Sequence, residues 1–269
     1  MIHPTAIIDE NVKLGVNVSI GPWTIIGAGV EIGEGSQIGS HVVIKGPTKL
    51  GKNTKIFQFT SIGEDPQDLK FHGEHATLEM GDNNTVREFV TINRGTKVGG
   101  GITKIGDNNL FMAYVHIAHD CVIGNNNIFA NNASLSGHVA IEDFVNLAGF
   151  TAVHQFTRLG AHSFVAGGSM VVKDVLPYLL VSGDPAEPYG LNIVGLQRRG
   201  YSPQVIMNLR KAYKIIFRKS LVLDEVIQAL DALKRECPEV ELLIRGIQSS
   251  ERGIARETRR TVEAMEDSE

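Results

Sequence analysis

Every sixth residue from Ile2 to Ile62 is isoleucine or leucine: Ile2, Ile8, Leu14, Ile20, Ile26, Ile32, Ile38, Ile44, Leu50, Ile56 and Ile62. A second run starts at Ile105 and continues through Phe111, Ile117, Ile123, Phe129, Leu135, Ile141, Leu147, Val153, Leu159, Val165 and Val171. An amphipathic helix repeats every 3.6 residues and does not produce this spacing. Glycine often follows the periodic residue, as at Gly15, Gly21, Gly27, Gly33 and Gly124, and asparagine or aspartate clusters just after it in GDNN and GNNN. These residues tolerate positive φ and suit a corner repeated at fixed intervals. Four residues beyond the periodic site stands a small or β-branched side chain: Val18, Thr24, Val30, Ser36, Val42, Thr48, Thr54 and Thr60. Short strands joined by tight corners therefore wind a parallel β-helix with its aliphatic residues stacked inside.

The pattern breaks twice. Residues 63–79, GEDPQDLKFHGEHATLE, carry charges and histidines with no aliphatic ladder and are expected to form an extruded loop. Residues 95–104, GTKVGGGITK, shift the register by one residue and are expected to form a smaller bulge. After Pro177 the period ends, and SGDPAEPYG (182–190) is expected to be a proline-rich connector. Ser202-Pro203 is a good N-cap and N1 pair opening an apolar-periodic helix, and LDEVIQALDALKRE is expected to be a second one. The charged tail from Glu251 is expected to be helical or frayed. The chain is thus expected to be mainly β, with a β-helix over 1–190 and a C-terminal α-helical domain over 191–269.

No stretch of eighteen apolar residues and no signal-peptide pattern occurs, so neither a membrane span nor secretion is expected. A net charge of −4 argues against a general nucleic-acid binder, and two cysteines without a framework spacing point to a reducing, cytoplasmic setting.

The hexapeptide repeat resembles that of the left-handed β-helix acyltransferases, in which three hexapeptides make one triangular coil. Counted in eighteens, His138 lies 19 residues after His119 and His154 lies 35 after it, each within one residue of whole coils. The three imidazoles are therefore expected to climb one corner, about 5 Å apart per coil, with His116 on the approach. Such a stripe reads as a solvated face, as a zinc site of the kind found in carbonic anhydrases of this repeat class, or as a sugar-binding and catalytic surface. Asp120, Gln155 and Asp68 suit hydrogen bonding to a sugar better than metal binding.

Longer stretches carry a closer resemblance: SIGEDPQDLKFHGE, VTINRGT, GGGITKIG, VHIAHDCVIG, NNASLSGHV, TAVHQF and GLNIVGLQRRG. With these the chain is similar to the UDP-N-acetylglucosamine O-acyltransferases of lipid A biosynthesis. The resemblance implies a left-handed parallel β-helix and a homotrimer with sites between neighbouring prisms. It implies transfer of a 3-hydroxyacyl chain from acyl carrier protein to the sugar 3-hydroxyl, with no cofactor. It makes His119 the general base, Asp120 its orienting partner and the Gly137 N–H an oxyanion donor, although a glycine there also suits a plain corner. Asp68, Leu69, Lys70, His116, His138, His154 and Gln155 are expected to position sugar or donor, and Asn192, Arg198 and Arg199 to bind the nucleotide. Gly167 matches the position that sets acyl length, and its lack of a side chain favours a donor nearer fourteen carbons than ten. The seven basic residues between Arg198 and Lys219, with no acidic one, suit an acidic carrier protein. Asn93 and Val194 depart from the family pattern, which leaves open a 3-amino sugar as the acceptor.

Overall fold

A computed structural model describes residues 1–219 and 221–256. The chain winds a left-handed parallel β-helix whose two- to five-residue strands stack into three sheets. The first sheet runs from Ile7–Ile8 to Met170–Val171, the second from Lys13–Leu14 to Arg158–Leu159, and the third from Ser19–Ile20 to Glu187–Leu191. The register advances by eighteen in regular coils: Ile8 faces Ile26, and Ile117 faces Leu135.

Both series of small and large apolar residues point inward. Ile20, Ile26, Ile44, Ile62, Ile117 and Leu135 are at most 3% exposed, as are Thr24, Val30, Ser36 and Thr60. A fully buried aliphatic side chain of this size contributes about 2 kcal/mol. In the first coil Ile2 is exposed and Ile8 and Leu14 are half-buried.

The asparagine-rich corner joins the second sheet to the third. Asn83, Asn108 and Asn126 adopt φ of 59°, 58° and 59°, a conformation that asparagine enters at low cost. Their neighbours form ladders: Asn84 Oδ1 accepts the Asn109 N–H, Asn109 Oδ1 the Asn127 N–H, and Asn127 Oδ1 the Val145 N–H. Asp82, Asp107, Asn125 and Asp143 likewise each accept a backbone N–H from the adjoining coil. Backbone amides that a corner would leave unsatisfied are thus paired.

The first interruption is shorter than expected from the sequence. Thr77–Met80 is a strand of the second sheet, with Leu78 and Met80 buried, and the ladder continues through Val86 and Ile92. Leu78 faces Thr48, a step of 30, so the loop inserts 30 − 18 = 12 residues. Ile92 faces Ile117, a step of 25, so the second excursion inserts 7. Both leave the prism between the first and second sheets, at one corner.

SGDPAEPYG is a hairpin: Leu179–Ser182 pairs antiparallel with Glu187–Leu191 and closes the last coil. Four helices follow among the described residues: α1 (Ile193–Arg198), α2 (Pro203–Phe217), α3 (Leu223–Lys234) and α4 (Val240–Gln248). Ser202 caps α2 by accepting the Val205 N–H at 3.3 Å, with Pro203 at N1. The sequence reading missed α4, which buries Leu243, Ile244 and Ile247. The segment from Glu251 to Arg256 is irregular rather than helical and bridges back to Asp174 through Ile254. The rest of the tail, 257–269, lies outside the described residues.

Candidate active site

Strand His116–Ile117 of the first sheet turns Ile117 into the core and His116 outward, where its Nδ1 lies 2.7 Å from Thr91 Oγ1. The chain then turns through Ala118, His119, Asp120 and Cys121. Asp120 takes φ 60°, and its N–H donates to Thr103 Oγ1 at 2.8 Å. Cys121 enters the core, where its thiol donates to the Ser136 carbonyl and burial pushes its pKa up to about 12.

The Asp120 carboxylate is buried and heavily bonded. Its Oδ1 accepts the Thr96 N–H at 2.7 Å, and its Oδ2 accepts the Thr96 hydroxyl and lies 2.7 Å from His119 Nδ1. This arrangement assigns the proton to Nδ1 and leaves the Nε2 lone pair of His119 free. The second excursion therefore lies over the dyad: Thr96 supplies two donors, and a Cβ at Gly99 would collide with the Asp120 carboxyl group.

One coil on, Gly137 stands at the level of His119. A Cβ there would meet the imidazole at 2.5 Å, so the ring occupies the space a side chain at 137 would need. The Gly137 N–H has no hydrogen-bond partner among the described residues, and neither have those of His119 and Gln155 at the same corner position. The free donor is thus a property of the corner; the missing side chain belongs to Gly137.

His138 occupies the Asp120 level at φ 60°, its ring 5.1 Å from that of His119 and nearly perpendicular to it. Its Nε2 is 3.7 Å from Asp120 Oδ2. Burial lowers the His138 pKa, opposed by the charges of Asp120 and Asp68 and aided by His119. Burial, and then His119, also lowers that of His116. In both rings burial thereby favours the neutral imidazole over the cation.

The expected column of three histidines is corrected in one respect. The ring stacked on His138 is Phe156, at 4.5 Å, because position 156 and not 154 lies eighteen residues on. His154 falls two positions short, with its Nδ1 3.1 Å from the Gln155 carbonyl. Asp68 lies in the longer excursion, where it accepts the Lys70 N–H; Leu69 and Lys70 are exposed. Asn93 and Arg94 hold the root of that loop: Asn93 Nδ2 donates to the Asp65 carbonyl at 2.6 Å, and Arg94 pairs with the Asp65 carboxylate.

The nucleotide candidates sit elsewhere. Asn192 is buried and caps α1, accepting the Gly195 N–H and donating to the His162 carbonyl. Arg199 lies 5.2 Å above the Phe144 ring and donates to the Phe144 carbonyl; Arg198 and Val194 are exposed. Phe144 and His162 belong to the corner between the second and third sheets, across the second sheet from His119. Gly167 lies on the third corner, between the third and first sheets, beside Gly168 at φ 69°.

Ligand atoms of His119, Asp120 and His138 lie within 4.8 Å of one another and could hold a metal ion. The carboxylate is already engaged by Thr96 and His119, which fits a hydrogen-bonded base better than a metal ligand. Thr91, Thr96, Gly99, Thr103 and Phe156 have no role assigned from the sequence, although all five lie inside the motifs quoted above. Only contact across coils reveals them.

A family model described as UDP-N-acetylglucosamine O-acyltransferase, domain 2, matches residues 174–255, and the bacterial transferase hexapeptide model matches 5–40 and 102–137. An acyl-[acyl-carrier-protein]–UDP-N-acetylglucosamine O-acyltransferase of Pseudomonas entomophila (strain L48) is 51% identical over 255 residues, covering 95% of this chain and 99% of its own. That of Stutzerimonas stutzeri (strain A1501) is 49% identical over 256 residues, with the same coverage. The chain belongs to this O-acyltransferase family. Among solved structures, the Francisella novicida UDP-N-acetylglucosamine acyltransferase superposes with a TM-score of 0.94 at 39% identity, covering 100% of both chains. The Moraxella catarrhalis O-acyltransferase gives 0.93 at 46% identity, over 95% of this chain and 99% of its own. No helix among the described residues is long and apolar enough to cross a membrane.

Proposed function

We propose that His119 performs the proton transfer by which this O-acyltransferase moves a 3-hydroxyacyl chain from acyl carrier protein to the 3-hydroxyl of UDP-N-acetylglucosamine, the first step of lipid A biosynthesis. The observation that carries the proposal is the His119–Asp120–Thr96 chain, with Nε2 left open at a corner flanked by both excursions. His119 Nε2 takes the proton of the sugar hydroxyl as its oxygen attacks the thioester carbonyl. Asp120 holds the ring in the required tautomer and stabilises the imidazolium. The Gly137 N–H donates to the tetrahedral oxyanion. Collapse breaks the C–S bond, and the departing thiolate takes the proton back from His119. The attack is direct, since the neighbouring thiol, Cys121, is buried and its pKa raised.

His116, His138, His154, Gln155 and Asp68 line the sugar side, with Leu69 and Lys70 reaching the donor from the exposed loop. Asn192 holds the nucleotide stretch in shape, and Arg198 and Arg199 meet the pyrophosphate or uridine with forked donors. Because these arginines and His119 stand on different edges of one prism, a complete site needs a second chain. This supports a homotrimer in which each cleft takes its base from one chain and its arginines from the next. The acyl tail then crosses the outer face of the first sheet, lined by Thr91, His116, Ser134, Ala152 and Met170, toward Gly167. The basic surface of α2 meets the carrier protein, in the cytoplasm. The β-helix forms one domain over 1–190, and the chain from 191 onward forms the second.

The test is an acyl-transfer assay with UDP-N-acetylglucosamine, its 3-amino analogue, and carrier protein charged with several chain lengths. The expected result is ester formation at the 3-hydroxyl without added metal. Amide formation on the amino sugar alone would refute the acceptor, and activity that needs stoichiometric zinc would refute the hydrogen-bonded base.

A further inference from the structure

The corner between the second and third sheets changes its chemistry part-way along the prism. Its left-handed position is held in turn by Asn17, Gly35, Asn53, Asn83, Asn108 and Asn126, residues that enter that conformation at low cost. In the last coils the same position is Phe144, His162 and Tyr178, at φ of 61°, 62° and 69°. A bulky aromatic residue such as Phe144 or Tyr178 is strained there. The exchange begins at the coil on which Arg199 lands. The rings of Phe144, His162 and Tyr178 stack, with centroids 4.9 and 5.6 Å apart and planes within 11° of parallel. The stack is anchored at Tyr178, which is fully buried and donates its hydroxyl to the Glu239 carbonyl at 3.0 Å.

The middle ring is the odd choice. A phenyl ring would stack equally well between Phe144 and Tyr178, with no polar atom to bury. The His162 imidazole instead carries two nitrogens into the packing: Nδ1 is buried with no hydrogen-bond partner among the described residues, and Nε2 lies 3.1 Å from the Tyr201 hydroxyl. A buried unpaired nitrogen is unfavourable. What an imidazole adds over phenyl at this place is therefore the bond at Nε2. Burial, and then the charge of Arg199, pushes the His162 pKa down to about 4, so near neutral pH the ring is uncharged beside the guanidinium.

Tyr201 stands two residues beyond Arg199, across Gly200 at φ 81°. It lies edge-on to both His162 and Tyr178, with centroids 5.3 and 6.1 Å away, and its N–H donates to the Leu196 carbonyl. The chain just past the turn is thus tied to the ring stack. On the near side of the turn, Arg199 donates from Nη2 to the Phe144 carbonyl at 3.1 Å and from Nη1 to the Gly195 carbonyl at 3.4 Å. A guanidinium carries more N–H donors than these bonds use, so donors remain for a ligand.

We propose that His162 and Tyr201 are positioning residues for nucleotide binding: the bond between them locks the Gly200 turn against the ring stack and fixes where the free N–H groups of Arg199 meet a nucleoside diphosphate. This rests on the nucleotide reading of Arg199 above and adds the two side chains through which that arginine is held. A guanidinium fixed in advance loses less conformational freedom on binding. Both residues act through Arg199, so their loss appears in sugar-nucleotide binding and not in turnover.

Tyr201→Phe and His162→Phe each keep a ring and remove the bond. Calorimetry with UDP and steady-state kinetics on both substrates are compared for the wild type, the two single variants, their combination and Arg199→Ala, with circular dichroism to check the fold. Each single variant is expected to weaken UDP binding, and to raise the KM for UDP-N-acetylglucosamine, by about five- to tenfold. The kcat and the KM for the acyl carrier protein donor are expected to stay at wild-type values. The double variant should be no worse than either single one, because all three lack the same bond. Wild-type UDP affinity in Arg199→Ala overturns the nucleotide reading, and the positioning role with it. Weakened binding in Arg199→Ala beside wild-type affinity in both ring variants overturns the positioning role alone. Additive losses in the double variant, or an equal rise in the donor KM, also overturn it, since either marks a general loosening of the fold. If His162→Phe does not fold, Tyr201→Phe, which removes one oxygen, decides.

Discussion

At the scale of single residues, the site depends on one imidazole whose two nitrogens have different fates. His119 Nδ1 is bound to Asp120, and the proposed base function rests on Nε2 alone. His119→Ala should lower kcat by at least ~10²-fold while light scattering still shows the trimer, because the ring faces out of the core. Activity within a few-fold of wild type would remove His119 from this role. Gly137→Ala tests the ring's seat: its Cβ would meet the imidazole at 2.5 Å, so kcat should fall with little change in thermal stability. His162 offers a pH test on the opposite corner. Burial, and then the charge of Arg199, lowers its pKa from 6.5 to about 4. The unfolded imidazole therefore takes a proton first as pH falls, and the folded state loses stability between about pH 6.5 and 4. After discounting for partial exposure, the loss is about 1–2 kcal/mol. His162→Phe keeps a ring between Phe144 and Tyr178 but cannot titrate, so its melting temperature should fall less over that window. An unchanged slope would show that other groups carry the acid sensitivity.

The elements that distinguish the proposed catalytic corner are the two that break the repeat. A regular coil turns this corner in four residues and leaves no cover over the Asp120 carboxyl. The seven-residue excursion brings the Thr96 N–H and hydroxyl to it, and Gly99 packs where a side chain would not fit. Gly99→Ala should therefore push the carboxyl group away, costing about 10- to 100-fold in kcat on the scale of a lost orienting partner, with the β-helix intact by circular dichroism. A wild-type rate in Gly99→Ala would mean that the excursion does not hold the dyad. In the longer excursion, the twelve inserted residues place Asp68 within electrostatic reach of His138. The helices contribute differently: Asn192 ties α1 to the His162 carbonyl, and Arg199 to Phe144, fixing the proposed nucleotide-binding stretch against one edge.

For the whole molecule, the three-sided section decides what can meet what. His119, Arg199 and Gly167 stand on three different corners, so the proposed acyl path is a diagonal across the first sheet and longer than its axial component. Gly167 is not in the left-handed region, and a Cβ there meets only the Gly149 carbonyl, at 3.3 Å. Gly167→Met should thus fold and shift preference toward shorter 3-hydroxyacyl donors, read as the ranking of kcat/KM across chain lengths. An unchanged ranking in a folded protein would exclude Gly167 as the length determinant.

Much of the architecture was legible because a β-helix repeats its local instruction in every coil. Ile20 to Ile62, Thr24, Ser36 and the Ser202–Pro203 cap needed no distant information to be placed. His119, Asp120 and Gly137 were singled out through the family resemblance of their motifs, and the prism brings them together at one corner. What stayed hidden depended on counting whole coils through insertions. Met80, Val86 and Ile92 belong to the ladder across a twelve-residue loop, Phe156 rather than His154 stacks on His138, and Thr96 bonds a carboxylate 24 positions away. Hexapeptide periodicity fixes which way a side chain points; only the closed prism decides which coil, corner and neighbour it meets, because stacking couples residues about eighteen apart and each insertion changes that interval.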